Sequence, residues 1–227
     1  MQKRVRYFIS IMTEIPEHKP YLIIESQYFG SIDYINILFH FSDIKIEQYE
    51  TYQKMSFRNR CVVAGSNVLV NLSIPLENGR NGRQLMKDTH ISYSNRWQAE
   101  HLRTFESCYS RSPYFEYYRE DVWGLIQKQE KFLLDKNLAI LEWLQKTLKF
   151  EGTVSLTDAY RKEYGPDVTD KRNHILPKNF QGQPQPFRYT QVFEDRTGFQ
   201  PNLCILDLLF CYGPDIKNGL KDNKLTF

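Results

Sequence analysis

The chain has 227 residues, of which 41% are hydrophobic and 15% aromatic, and a formal net charge of +3 at pH 7. That length and apolar content suit a sizeable buried core, in one large domain or two small ones, and argue against general disorder. The mild charge, with Lys and Arg interleaved with Asp and Glu, is too weak for a general nucleic-acid footprint, and no apolar run reaches the roughly 20 residues of a membrane helix.

Residues 1–20 start basic and carry a short apolar run that breaks off before any small-residue cleavage site, so they read as an extension rather than a signal peptide. YLIIES (21–26) suits a buried strand, the segment from Ser31 has apolar residues at helical spacing, and DIKIEQ (43–48) is a second strand. Strand, helix, strand opens a parallel βαβ unit of the right-handed kind. Such a unit would set Glu25, Ser26, Gln27 and Tyr28 beside Gln48, Tyr49, Glu50 and Tyr52 at the carboxyl ends of the strands, where open α/β sheets bind ligands.

YQKMSFRNRC (52–61) gathers Lys54, Arg58 and Arg60 with Tyr52, Gln53 and Asn59. Read as extended chain, it would face Met55, Phe57 and Cys61 to a core and the rest outward, with Arg58 and Arg60 on one face and Asn59 on the other. Two guanidiniums so spaced suit a phosphate or carboxylate; the alternative is ion pairing with Glu47, Glu50 or Glu77. CVVAGSNVLVNLSIPL (61–76) alternates on both sides of a Gly65, Ser66, Asn67 turn and predicts a β-hairpin. ENGRNGRQ (77–84) has neither GxxxxGK[ST] nor GxGxxG spacing and reads as a flexible loop.

A helix is predicted from Asn95, with Trp97, Leu102, Phe105 and Tyr109 on one stripe and Ser94 or Asn95 as the cap. SPYFEYYRED, from Pro113 on, is an aromatic knot of the kind that fills cores. Residues 121–150 hold two more helical patterns, which would cover the sheet. TVSLT (153–157) predicts a short strand, and 160–186 is polar, irregular and suited to a functional loop. That loop bears His174, the best acid/base candidate; His40, His90 and His101 sit in regular patterns and look structural. FRYTQVF (187–193) alternates as a strand, with Arg188 and Thr190 on one side and Tyr189 and Gln191 on the other. In GFQPNLCILDLLFCYGP (198–214), Pro201 sets the first turn of a helix that Gly213 and Pro214 stop. Asp207 in its apolar face must meet solvent or a partner, and Arg58 or Arg60 is the partner suggested. The four cysteines form no CxxC pair and no His/Cys spacing builds a metal site, so buried free thiols in a reducing cytoplasm are expected.

The expected architecture is α/β, a mixed sheet opening with a βαβ unit plus a β-hairpin, covered by a helical subregion at about 95–150. Together YQKMSFRNRC, the helix with Asn95 and Trp97, SPYFEYY, FRYTQVF and PNLCILDLLFCYGP resemble the WbqC-like protein family, over most of 21–214. The resemblance implies one domain there, followed by a tail at 215–227. It also implies bacterial, cytoplasmic work in surface-polysaccharide (O-antigen) production, as a transferase of an amino acid such as glycine to a sugar. Many members carry His-Gln-Pro at the end of the first strand, a pattern also similar to nucleotidylyltransferase-like folds; here Ile24, Glu25 and Ser26 stand before Gln27 and Tyr28.

The expected site then has His174 or Glu25 moving protons, and Tyr28, Tyr52, Gln53, Lys54, Arg58, Asn59, Arg60, Arg188, Gln191 and Asp207 holding a small anionic substrate, a sugar nucleotide or an acyl donor. No metal, nucleic acid or membrane span enters, and the cofactor is left open. Arg58→Ala is expected to weaken binding by more than about tenfold without loss of folding. The rival expectation is a non-catalytic binding or assembly protein that keeps the fold.

Overall fold

The computed structural model describes residues 20–77, 84–185, 187–216 and 219–220. Most of the expected N-terminal extension, the glycine-rich stretch 78–83 and most of the expected tail lie outside the described residues.

The opening unit forms as its pattern predicts. Strand β1 (Tyr21–Glu25) buries four of its five residues, and helix α1 (Ile32–Phe39) returns the chain to β2 (Asp43–Glu47), parallel to β1 with Leu22 opposite Ile44 and Glu25 opposite Glu47. Ser31 caps α1, its Oγ accepting from the Tyr34 amide at 3.2 Å. The predicted hairpin is β3 (Arg60–Ala64) and β4 (Leu69–Ser73), antiparallel, closed by a hydrogen bond from the Gly65 amide to the Val68 carbonyl.

Three helices follow: α2 (Trp97–Tyr109), α3 (Phe115–Gln127) and α4 (Leu133–Thr147). Neither Ser94 nor Asn95 caps α2, because the helix starts one residue later and Arg96 takes the cap position without a side-chain bond. Lys136 ties the end of α3 to α4: its ammonium is buried and donates to the Leu125 carbonyl at 2.7 Å and to that of Lys128, two of the acceptors a helix C-terminus leaves open.

β5 (Thr153–Leu156) then pairs with β2, and β6 (Val168–Asp170) with the other side of β1, giving an all-parallel sheet of order β5-β2-β1-β6. β6 lies inside the stretch expected to be irregular. Three residues are too few to show alternation, and pairing with β1 is what holds them extended.

FRYTQVF is not a strand. It runs as irregular chain into the short helix α5 (Glu194–Thr197), yet the expected alternation survives as burial, with Tyr189 and Gln191 inside and Arg188 and Thr190 outside. Gln191 explains this, for its Oε1 accepts from the Gln200 amide at 2.7 Å and its Nε2 donates to the Gln200 carbonyl at 2.8 Å, the pair of bonds a neighbouring strand would make. Helix α6 (Ile205–Tyr212) starts four residues beyond Pro201. Asn202, at φ +56°, turns the chain there and donates to the carbonyls of Phe180 and Gln183. Gly213 ends α6 at φ +81°, where a side chain would strike the Tyr114 ring.

A single hydrophobic cluster runs from β1 through the hairpin and the helices to α6. Within it His101 is buried, its Nδ1 3.0 Å from the Tyr28 hydroxyl, and burial pulls its imidazole down to about 4. A neutral buried imidazole stabilises the fold above pH 6.5, and that contribution is lost as pH falls through about 4. The difference in stability between the unmodified chain and His101→Gln should therefore shrink by up to about 3 kcal/mol from pH 6.5 to 4 in urea titrations. A constant difference would mean that the imidazole titrates as it does in water.

Candidate functional site

The chain leaves β1 toward β2 on one side and comes back to pair β6 on the other, so the order reverses between β1 and β6. Open α/β sheets hold their ligands outside the carboxyl ends of the strands at such a switch point. Here the ends of β1, β2 and β6 bring together Glu25, Glu47, Glu50, Asp170, Arg172, Asn173 and His174, with Arg58 behind them.

Each carboxylate is fixed. Glu25 Oε1 accepts from Gln27 Nε2 at 2.9 Å, and its Oε2 from the Asn173 amide at 2.8 Å. Glu47 Oε1 accepts from the Tyr49 amide and the Thr157 hydroxyl, while its Oε2 lies 3.4 Å from Arg172 Nη1. Glu50 takes two 2.6 Å bonds from Arg58, whose Nη2 also donates to Asn173 Oδ1 at 2.8 Å. Burial pushes the Glu50 carboxyl up, against the bond and charge of Arg58. Asn173 makes both of its contacts from φ +60°, a strained conformation of the kind that gathers at functional sites.

A crevice of about 250 Å³ opens here, lined by Glu50, Tyr160, Asp170, Arg172 and Asn173. Arg172 grips Asp170 through Nε at 2.9 Å and Nη2 at 2.6 Å, and its guanidinium lies 5.1 Å from the ring centres of Tyr160 and Tyr164. Despite partial burial, that grip holds the Asp170 carboxyl below its usual range. Tyr160 is 53% exposed, leaving most of its ring to the solvent side. His174 follows directly and is exposed; what burial it has and Lys171 pull its imidazole below 6.5, against Glu25, so it is neutral at pH 7.

The sequence-predicted residues therefore divide. Glu25, Arg58 and His174 meet at the switch point. Tyr28 is wholly buried against His101. Arg58 is wholly buried too, although extended chain would have turned it outward. Residues 54–59 are turns, with Met55 at φ +56° and 67% exposed where a core position was expected, so the alternation used to place Arg58 beside Arg60 does not apply. Arg60 instead reaches Met55 Sδ at 3.4 Å, and Tyr52 donates to Asn59 Oδ1 at 2.9 Å. Gln53 and Lys54 are exposed in the same turn.

Arg188, Gln191 and Asp207 belong elsewhere. Arg188 pairs with Glu194 and lies over the Phe199 ring. Asp207 accepts from Tyr109, Tyr189 and Gln191, not from Arg58 or Arg60. Residues missed in the sequence are Tyr160, Asp170, Arg172 and Asn173. The signal for the last three is the run Asp170 to His174, which packs an acid, two bases, an amide and an imidazole into five residues of the irregular loop. Among the described residues no group of three or more His, Cys, Asp or Glu is placed to hold a metal, and no helix is long and apolar enough to cross a membrane.

A four-stranded parallel sheet with a polar crevice at its switch point, an antiparallel hairpin and the packed helices define an α/β protein. The WbqC-like protein family matches residues 25–176, well over half of the chain, and the chain belongs to that family. The match begins at Glu25 and runs past His174, so it takes in every residue lining the crevice and leaves out Arg188, Gln191 and Asp207. Comparison with curated proteins and with solved structures gave no match.

Proposed function

We propose that the chain is a transferase of bacterial surface-polysaccharide (O-antigen) production, moving an acyl group such as glycyl from an activated anionic donor onto a sugar. The switch-point crevice carries this reading. An exposed Tyr160 face beside Glu50, Asp170, Arg172 and Asn173 offers what a sugar uses: a ring for its C–H face and paired acceptors and donors for its hydroxyls. Two carboxylates against one guanidinium in the lining suit the neutral or amine-bearing acceptor better than the anionic donor. A sugar hydroxyl or amine would attack the donor carbonyl, passing its proton to the neutral His174 imidazole as the donor's leaving group departs. Glu25, with both oxygens bonded, would orient the 173–174 turn.

That same saturation of Glu25 favours a second reading, a non-catalytic binding protein, and the replacement of His-Gln-Pro by Ile24, Glu25 and Ser26 agrees with it. Incubation with sugar nucleotides, aminoacyl donors and ATP, followed by mass spectrometry, separates the two. Transfer predicts an acylated sugar that disappears in His174→Ala; bound sugar without any product supports the binding protein. Tyr160→Ala should weaken sugar binding by about tenfold in calorimetry on either account. An unchanged affinity would remove the crevice as the sugar site.

A further inference from the structure

A cavity larger than the crevice lies away from the switch point. It measures about 720 Å³ and is lined where α2 gives way to α3, by the segment 190–196 and by the hairpin turn. A second hollow of about 420 Å³ shares Ser66 and Arg196 with it. The size is that of a nucleotide-scale ligand site.

Its polar groups contrast with those of the crevice. At the switch point Arg58 and Arg172 are each bonded to carboxylates. In this cavity the Arg111 guanidinium makes no ion pair or hydrogen bond among the described residues, and the Arg196 guanidinium makes one 3.3 Å bond, to the neutral Asn67 amide oxygen. The hydroxyls of Ser66, Ser107 and Ser110 likewise make no side-chain bond across the cavity among the described residues. The opposing charge in the lining is Asp195, so the cavity has two guanidiniums to one carboxylate, the reverse of the crevice. Guanidiniums with fork geometry and neighbouring hydroxyls match the oxygens of a phosphate. Val192 and Phe193 supply an apolar wall beside them.

We infer that this cavity is a second ligand site, for a phosphorylated small molecule of nucleoside-diphosphate size, in which Arg111 and Arg196 hold the phosphates. The inference stands independently of the sugar-site reading, since it uses none of the crevice residues. It does place the expected anionic ligand where the charge is favourable.

The test is calorimetry on the full chain with inorganic pyrophosphate and uridine diphosphate as probes, at low and moderate salt. Saturable binding is expected, weakening with salt as charge pairing does. Arg111→Ala and Arg196→Ala should each weaken it by about tenfold, while Tyr160→Ala leaves it unchanged. Both arginines are exposed, so the variants keep the fold, and an unchanged circular dichroism melt checks this. The inference is overturned if neither probe binds, if both arginine variants bind as tightly as the unmodified chain, or if Tyr160→Ala alone abolishes binding, which would put the anion in the crevice.

Discussion

Arg58→Ala is expected to lower the free energy of unfolding by about 3–5 kcal/mol, read from urea denaturation at pH 7. The guanidinium is 0% exposed and joins two parts of the chain, Glu50 beyond β2 and Asn173 beyond β6, while the Arg58 backbone carbonyl accepts from Asn137 on α4 at 2.8 Å. Removing it leaves the Glu50 carboxylate buried without its counter-charge and Asn173 without the bond that opposes its positive φ. Arg58→Lys should recover little, because an ammonium cannot make the two parallel bonds to Glu50. Arg58→Met with Glu50→Leu should recover much more, since neither charge is then stranded. A loss below about 1 kcal/mol in Arg58→Ala would show that water reaches Glu50 and that the cluster is open. The expectation of weaker ligand binding without loss of folding, drawn from the sequence, gives way here: a buried clamp cannot be cut without cost to the fold.

The physics of periodicity explains which parts of the molecule could be read in advance. β1 and most of β3 are buried apolar runs, β2 alternates polar with apolar residues, β3 and β4 flank a turn signal, and α2 begins and ends where its apolar stripe does. From β1 and β2 alone the crevice could be placed at their carboxyl ends, and Glu25, expected there, does lie there with its Oε2 accepting from the Asn173 amide beside His174. Arg58 was legible as important but not as buried, because parity arguments hold only for extended chain and Met55 turns it at φ +56°. Asp170 and Arg172 were hidden because β6 has three residues, held by β1 and not by any pattern of its own. Gln191 and Asp207 were singled out for their polarity among apolar neighbours. The same polarity serves the core, where Gln191 replaces a strand and Asp207 gathers two phenols.

Asp207 gives the second large effect and the clearest dependence on pH. It is 0% exposed; its Oδ1 accepts from the Tyr109 hydroxyl at 2.8 Å, and its Oδ2 from the Tyr189 hydroxyl and from Gln191 Nε2 at 3.2 Å. Asp207→Ala should cost about 3–5 kcal/mol, because two buried phenols and an amide lose their acceptor and a small cavity opens beside α6. Burial pushes the carboxyl up to about 6, although the three donors pull it down. The folded protein thus binds this proton more tightly than the unfolded chain, whose aspartates titrate near 3.9. The stabilisation that protonation brings is fully present below about pH 4 and is lost as pH rises through 6. Asp207→Asn cannot titrate, so the unmodified chain should gain up to about 3 kcal/mol on the Asn variant between pH 6.5 and 4. Asp33, raised to about 6 by burial, and His101, lowered to about 4, titrate in both proteins and cancel in that difference. A flat difference across this range would place Asp207 in contact with water and remove it from the core network.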